Sequence, residues 1–420
     1  MTTIERPVLY RAAAIIPPAV VVGDTPARLV VPGVEQDGWG LDDERRLGAF
    51  AGPIEAEAIL HELELSGLRG RGGAGFPVFR KWSTVAAAPG ECVVVANGHE
   101  GEPASSKDRW LLTRRPHLVL DGLLIAAATV GASEAIVCVS HEDAAASVES
   151  AIADLQNAGL VPEGLTLRVF GTSMSYVAGE ESAICQAING GPALPTDKPP
   201  RPFEAGVRGL PTLINNVETL AHVAWIRIHG GTEFASAGTE TAKGTALFTV
   251  TGACERPGVY EMELGRTVAE LIAAAGGSVE AVTGLLVGGW FGGVLDASAV
   301  SLPCCYDAFA AAGGGLGCAA VTVLGPDDDI VETATELAAW YQMESAKQCG
   351  VCVSGTGAIA RTLRQISRGV AGADATEKLA RWGSTLSGRG ACSFIDGASA
   401  LARSAALELT RRESAEKGVR

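Results

Sequence analysis

Cys349 and Cys352 stand at C-x-x-C spacing in "ESAKQCGVC", residues 344–352. That spacing suits a metal or cluster site, a redox disulfide, or two ordinary thiols. Cys392, in "GRGACSFIDGA", is a third sulfur within the same C-terminal stretch. A tetrahedral zinc site would need a fourth ligand, and none is evident. Cys304 and Cys305 are adjacent, a poor arrangement for ligating one ion. They read as core or surface thiols, as do Cys92, Cys138, Cys185, Cys254 and Cys318,. The six histidines include no H-x-x-x-H or H-E-x-x-H pair.

A second set of residues suits ligand binding. Gly70-Arg71-Gly72-Gly73-Ala74-Gly75 matches G-x-G-x-x-G. Glycines there let backbone amides approach a phosphate or a flat ring without a Cβ clash. A helical pattern precedes the stretch where a dinucleotide fingerprint has a strand, and a tight Gly-rich turn explains it equally well. In "ANGHEGEPASSKDR", Asn97, Glu100 and Glu102 offer acceptors for ribityl hydroxyls or an amide; a solvated acidic loop is the competing reading. "SYVAGEESAI" places Gly179, Glu180 and Glu181 before a helical run, where acidic caps are also favoured. Asn215 and Asn216 precede another helix, and asparagine there commonly caps it. No acid–base triad is visible, and no catalytic side chain is assigned.

These residues must be positioned by elements. The chain has 420 residues, 47% hydrophobic, enough for two to four domains,. Its net charge is −15 without a strong basic run, which argues against nucleic acid as a partner,. The opening "MTTIERPVLYRAAAIIPPAVVVGD" does not read as a signal peptide, since Glu5 precedes the apolar run and Pro17-Pro18 break it,. The longest apolar stretch, "LVLDGLLIAAATVGASEAIVCV", carries Asp121 and Glu134 around a turn. It reads as helix then strand rather than a membrane span,. A cytoplasmic protein with reduced thiols is expected.

Residues 1–50 are Pro-rich and read as irregular. "PIEAEAILHELELSGL" has helical spacing and "GRGGAGFPVFRKW" reads as a Gly loop. "ECVVVANG", "EAIVCVS" and "LTLRVFG" read as strands separated by "HLVLDGLLIAAATVG" and "EDAAASVESAIADLQNAG" as helices,. That alternation predicts an α/β domain over 51–240 with a parallel, Rossmann-like sheet. "TALFTVTG" and "GVYEMEL" predict a hairpin, followed by the helix "TVAELIAAAGG" and the strand "VTGLLVGG"; this is a β-grasp (ubiquitin-like) pattern over 241–328,. A helical bundle is predicted over 329–420, with "ESAKQCGVC" where its first helix ends.

The order of the motifs is more specific than any one of them. "GLRGRGGAGFP…KW", "AN..E.EP…KDR", "Y..GEE.A", "KPP.P" and "P..INNVETL" follow one another over about 150 residues. Together they resemble the FMN- and NADH-binding (flavoprotein 1) subunit of the peripheral arm of respiratory complex I. The same subunit type serves NAD-linked hydrogenases and formate dehydrogenases. The resemblance runs from about Ile54 to the C-terminus. It implies an FMN domain, an SLBB-type β-grasp domain and a helical bundle carrying an iron–sulfur cluster. It implies transfer of electrons between NAD(P)H and an iron–sulfur protein by way of FMN, with a thioredoxin-like 2Fe–2S subunit or a ferredoxin as partner. It also implies membership of a membrane-associated complex without a span in this chain. An alternative is a flavin-containing electron-transfer or assembly subunit that has lost nicotinamide binding.

Carried over by motif, the flavin residues are Gly70, Gly72, Lys81, Asn97, Glu100, Glu102, Tyr176, Gly179, Glu180, Glu181, Asn215, Asn216 and Thr219. Phe76 and Lys198 belong to the nicotinamide side. The chain departs from the family pattern at several points. The family's N-A-D-E-S-E-P is Asn97-Gly98-His99-Glu100-Gly101-Glu102-Pro103, so His99 replaces a flavin-contacting Asp. Of three rings that clamp NADH, Phe76 remains, while Thr84 and Arg201 stand at the other two positions. Losing two stacks is expected to weaken NADH by roughly one or two orders of magnitude. Arg201 suits cation–π stacking or a 2′-phosphate instead. The family's E-S-C-G-x-C-x-P-C becomes Glu344-Ser345-Ala346-Lys347-Gln348-Cys349-Gly350-Val351-Cys352, with Cys392 as the later ligand. Three of four cluster cysteines remain. They suit a 3Fe–4S cluster, or a 4Fe–4S cluster whose fourth site is open or taken by a group such as Ser345.

Overall fold

The computed structural model describes residues 18–35 and 39–418. The signal-peptide expectation falls mostly on residues 1–17, outside them. The stretch 1–50 supplies two short elements, β1 (Ala19–Val21) and α1 (Leu41–Arg46). The latter starts where Asp43 Oδ2 accepts the Gly40 N–H at 2.8 Å,. α2 (Ala56–Ser66) stops at Gly67, whose φ of 57° suits a residue without a Cβ,. The Gly-rich loop is shorter than its composition suggests, because α3 (Val78–Ala86) starts directly after Pro77 and makes "VFRKW" helical.

The α/β domain continues with β2 (Cys92–Gly98), α4 (Lys107–Arg114), α5 (Pro116–Val130), β3 (Ala132–Val139), α6 (Glu142–Asn157) and β4 (Thr166–Gly171). Then come α7 (Glu181–Ile188), α8 (Pro202–Ala205), β5 (Thr212–Asn216), α9 (Val217–His229) and α10 (Gly231–Ala235). The four strands are all parallel, in the order β4-β3-β2-β5. β5 is not legible as a strand because "TLINN" is short and ends in the Asn pair. Its position is decisive. The chain winds outward from β2 to β4, then returns to the other side of β2, so strand order reverses between β2 and β5. Ligand crevices form at the carboxyl ends of strands at such a point. α5 is apolar almost all round, and all its residues except Ala128 are buried,. It packs on α9 so closely that a Cβ on Gly122 would lie 2.0 Å from Leu220 O.

The second unit holds the predicted hairpin of β6 (Thr245–Gly252) and β7 (Gly258–Glu263), then α11 (Val268–Ala274) and β8 (Gly284–Val287). β9 (Val294–Asp296), α12 (Tyr306–Ala311) and β10 (Ala320–Leu324) follow. The sheet order is β1-β7-β6-β10-β8-β9, with β10 parallel to β6 at the centre. β1 adds to the edge, parallel to β7. The third unit is α13 (Ile330–Glu344), α14 (Gly350–Ser367), α15 (Ala375–Thr385) and α16 (Phe394–Gly418). α14 begins at the cysteine pair, nearly two turns before the stretch "TGAIARTLRQISRG" whose spacing reads as helical,. No helix among the described residues is long and apolar enough to cross a membrane.

Candidate functional site

The loops named by the motifs meet at the β2/β5 reversal. Asn97 and Asn216 are register partners at the ends of these neighbouring strands. Asn97 Nδ2 donates to Gly179 O at 3.0 Å, joining the β2 loop to the segment before α7. Asn216 caps α9, accepting from Glu218 N at 3.0 Å, and donates from Nδ2 to Asp108 Oδ2 at 2.6 Å. A Cβ on Gly72 would lie 3.1 Å from Asn216 Cβ, so the Gly loop rests on the Asn pair. Asn215 Oδ1 accepts from the buried Trp82 Nε1 at 2.9 Å. Thr219 Oγ1 accepts the Arg71 N–H at 2.9 Å, fixing the middle of the loop. Gly70 accepts at its carbonyl from Tyr306 Oη at 3.1 Å. Gly75 has a φ of 60°, and a Cβ there would meet the Tyr306 ring at 2.6 Å. The β-grasp unit therefore shapes the outer side of the Gly loop.

The acidic residues divide into different tasks. Glu100 accepts from Ser105 Oγ (2.6 Å), Asp108 N (3.1 Å) and Arg109 N (2.9 Å), which makes it the cap of α4. Glu102 Oε1 accepts from Ala104 N (3.2 Å) and Trp290 N (3.0 Å), joining the loop to the β-grasp unit. Burial pushes both carboxyls up to about 7, helped at Glu100 by Asp108,. Glu180 caps α7, accepting from Ser182 N and Ala183 N, and pairs with Lys198. Glu181 lies 3.6 Å from Lys198 Nζ and 3.9 Å from Lys81 Nζ. Lys81 also donates to Ile214 O at 2.8 Å, and burial lowers its pKa. Phe76, expected from the motif on the nicotinamide side, is 53% exposed, an apolar ring offered to solvent. Thr84 and Arg201 are exposed.

His99 is buried among these loops. Its Nε2 lies 3.0 Å from Ser173 O, which accepts only, so Nε2 carries the proton,. Nδ1 has no partner among the described residues. Added Cβ atoms would come within 2.6 Å of the ring at Gly101 and 2.7 Å at Gly179. Beneath lies a buried charge network that the motifs do not reveal. Lys107 Nζ pairs with Asp108 Oδ1 at 2.7 Å and Glu218 Oε2 at 2.8 Å, and Arg71 Nε lies 3.9 Å from Glu218. The signal for it is the "KDR" of the acidic loop, whose cation needs buried partners in a sheet this apolar.

Two of the motif cysteines stand at the start of α14, and Cys392 lies in the turn before α16. Cys349 is the N-cap of α14 and Cys352 lies in its first turn, buried. Burial opposes charge on Cys349, yet backbone hydrogen bonds at Ala391 and Cys352 and the Cys352 thiol outweigh it, holding its pKa below the ordinary cysteine value,. Cys352 is pushed up to about 12, first by burial. Cys392 sits in the field of Cys349 and also of Glu180 and Lys198 from the flavin loops. The two candidate sites therefore adjoin. Tyr176 lies between them: its backbone N–H reaches Glu344 Oε2 at 3.2 Å, and its ring stacks on Phe291 and meets Trp340 and Phe394 edge-on. Among the described residues no three His, Cys, Asp or Glu side chains are set to hold one metal ion. A cubane asks for thiols at separate corners instead.

Residues 63–225 match the profile of the Nuo51 FMN-binding domain, 247–283 the SLBB domain, and 332–414 the NADH-ubiquinone oxidoreductase-F iron–sulfur binding region. A NADH-quinone oxidoreductase F-type subunit of Rhizobium meliloti (strain 1021), numbered 2 in that organism, is 33% identical over 382 residues, which cover 88% of this chain and 90% of that protein. The chain belongs to the family of NADH-quinone oxidoreductase F-type subunits. The F-type subunit of Streptomyces coelicolor is 31% identical over 402 residues, 90% of each chain. Among solved structures, the NAD+-reducing NiFe-hydrogenase in its air-oxidised state aligns with a TM-score of 0.77 and 32% identity, over 83% of this chain and 61% of that one. Its H2-reduced state gives 0.82 and 30%, over 93% and 66%. The chain thus spans about two thirds of those hydrogenase chains.

The residues present fit the family's flavin and retain three thiols of its cluster motif. For the flavin, the Gly loop is laid at contact distance on the Asn pair, and His99 Nδ1 is a buried acceptor still lacking a donor, the type of partner that ribityl hydroxyls and a flavin imide offer,. For the cluster, three thiols, one held below its ordinary pKa, lie beside an apolar aromatic wall. Ala346 stands where the family motif has its first cysteine, so the protein thiols fall one short of a four-cysteine set.

Proposed function

We propose that this chain is the NADH-oxidising flavoprotein component of an electron-transfer complex, passing electrons from NADH through FMN and an iron–sulfur cluster to an iron–sulfur partner. FMN when bound accepts a hydride from nicotinamide and releases its electrons singly, and the cluster relays them. The observation that carries the reading is the adjacency of the two segments: Glu344 of the cysteine segment holds the backbone N–H of Tyr176 in the flavin segment.

The chain's own residues do the positioning. The Gly70–Gly75 loop, braced by Thr219 and Tyr306, offers backbone amides. Asn97, Asn216 and His99 offer polar atoms from the strand ends. Lys81 and Lys198 balance Glu180 and Glu181 at the entrance. Phe76 offers a face for stacking, and Arg201 stands exposed near Lys198 as a candidate partner for adenosine or a 2′-phosphate. Glu102 is buried against the β-grasp unit and the half-buried Tyr176 packs on the aromatic rings of the helical unit. We assign 51–240 to the flavin domain, 241–328 to the β-grasp domain and 329–420 to the cluster-bearing bundle, in a cytoplasmic protein bound to an iron–sulfur partner of a thioredoxin-like or ferredoxin type.

An anaerobic absorption titration tests the reading. Flavin bands that bleach with NADH and a broad longer-wavelength shoulder lost on reduction are expected. A flavin that ignores both NADH and NADPH but bleaches with dithionite would reassign the chain to electron transfer without nicotinamide.

A further inference from the structure

His99 ties the β2 loop to the segment that follows β4. Its Nε2–H donates to Ser173 O at 3.0 Å, and its backbone N–H donates to Asn97 Oδ1 at 3.1 Å. The ring fills the gap between the β2 loop and the turn Tyr176–Gly179, where a Cβ on Gly179 would lie 2.7 Å from Nδ1. Gly101 is a matching departure from the family motif, which has Ser there. A Cβ on Gly101 would lie 2.6 Å from His99 Cε1 and 3.0 Å from Tyr176 Cα. His99 is 6% exposed, and its enclosed Nδ1 has no partner among the described residues. A proton on Nδ1 would be a buried N–H without an acceptor.

The charged groups around the ring offer none. Glu100 accepts from Ser105 and the first amides of α4, and Glu102 from Ala104 and Trp290. Glu180 caps α7 and pairs with Lys198, and Glu344 holds Tyr176 N. His141, between β3 and α6, repels a second positive charge, and its neighbour Arg109 is paired with Asp143. Burial holds the His99 pKa below the ordinary value, against the bond to Ser173,.

We propose that His99 is a positioning residue that holds the flavin loops together only while its ring is neutral, so that a proton on Nδ1 parts the loops and releases FMN. This rests on the flavin reading above. Once the loops part, the ring is hydrated and titrates near the ordinary histidine value of about 6.5. The closed arrangement is therefore favoured above that pH and lost as pH falls below it.

The test is the FMN dissociation constant of the full chain from pH 7.5 to 5, read by quenching of flavin fluorescence. Wild type is compared with His99→Gln and with His61→Gln, an exposed histidine on α2. Glutamine keeps an N–H for Ser173 O and has no proton to gain. Wild type and His61→Gln are expected to weaken about thirty-fold over this range, the linkage of one proton on a group of pKa about 6.5. His99→Gln is expected to change less than about three-fold. Nitrogen-15 spectra of histidine-labelled wild type at pH 5.5 give a test without a substitution. One histidine should be neutral with FMN bound and charged once FMN is removed. A flat wild-type profile, a parallel loss in His99→Gln, or no such histidine would overturn the proposal. A wild type that binds no FMN at pH 7.5 would overturn the flavin reading itself.

Discussion

Glu344 Oε2 accepts the backbone N–H of Tyr176 at 3.2 Å. This bond ties the last residue of α13 to the segment that leads into the Gly179–Glu181 loop. Glu344 belongs to the cysteine motif by sequence but serves the neighbouring site by contact. Removing it frees a backbone donor and loosens Tyr176 from its aromatic neighbours. For Glu344→Ala we expect FMN to dissociate roughly ten-fold more readily, the effect of about 1–2 kcal/mol. Glu344→Gln retains an acceptor and should lose far less. Flavin fluorescence on dilution measures both.

Lys107 is buried with Asp108 and Glu218 at 2.7 and 2.8 Å. Taking out the cation leaves Asp108 without its ion pair and Glu218 with only the more distant Arg71 as a cation. Lys107→Met should cost about 3–5 kcal/mol, seen as a lower denaturant midpoint. An unchanged midpoint would mean that this pairing contributes little to the native state.

Glu102 makes the apoprotein pH-sensitive. Burial raises its carboxyl from the ordinary 4.5 to about 7. Across that window the native chain holds a proton that the unfolded chain has released. Stability is therefore fullest below the window and falls as pH rises through it. Glu100, its acidic neighbour, acts in the same direction. Glu102→Gln keeps an acceptor for Ala104 and Trp290 without the charge. The variant should flatten the pH slope and gain about 1–3 kcal/mol near pH 8. Urea midpoints at acidic and alkaline pH provide the comparison.

Phe76 offers a largely exposed ring beside the Gly loop. If it stacks on the nicotinamide nucleotide, Phe76→Ala should raise the KM for NADH about three- to ten-fold with little effect on FMN content, the scale of one aromatic contact. An unchanged KM would place the nucleotide elsewhere.

The elements legible in the sequence are those with strong periodicity: β2, β3 and β4 as apolar runs, α5 and α6 between them, the β6–β7 hairpin and the four C-terminal helices. β5 is hidden because Asn215 and Asn216, at its carboxyl end, hold Trp82 and cap α9, and their polarity erases the apolar signature. β1 and β10 join their sheet through partners far away in sequence, which no local pattern reports. At the site, the loops are legible but their division of labour is not. Glu100 and Glu180 prove to be helix caps, a role that local sequence does not separate from ligand binding. The Lys107–Glu218 pair escapes because its members lie in separate motifs and meet only when β2 and β5 align.

The edge strand of the β-grasp sheet also bears on how the chain is made. β1 lies beside β7, and Ala19 pairs with Val259 about 240 residues later. The buried Glu261 accepts the backbone N–H groups of Arg28, Leu29 and Val30. At roughly 5–20 residues per second of synthesis, the early segment waits on the order of 10–50 s before its partner leaves the ribosome. The flavin-domain strands β2–β5 are made by then, so the seam between β1 and β7 closes after them and before the C-terminal helices exist, and in a growing chain the exposed edge waiting to be covered is a natural hold for a chaperone.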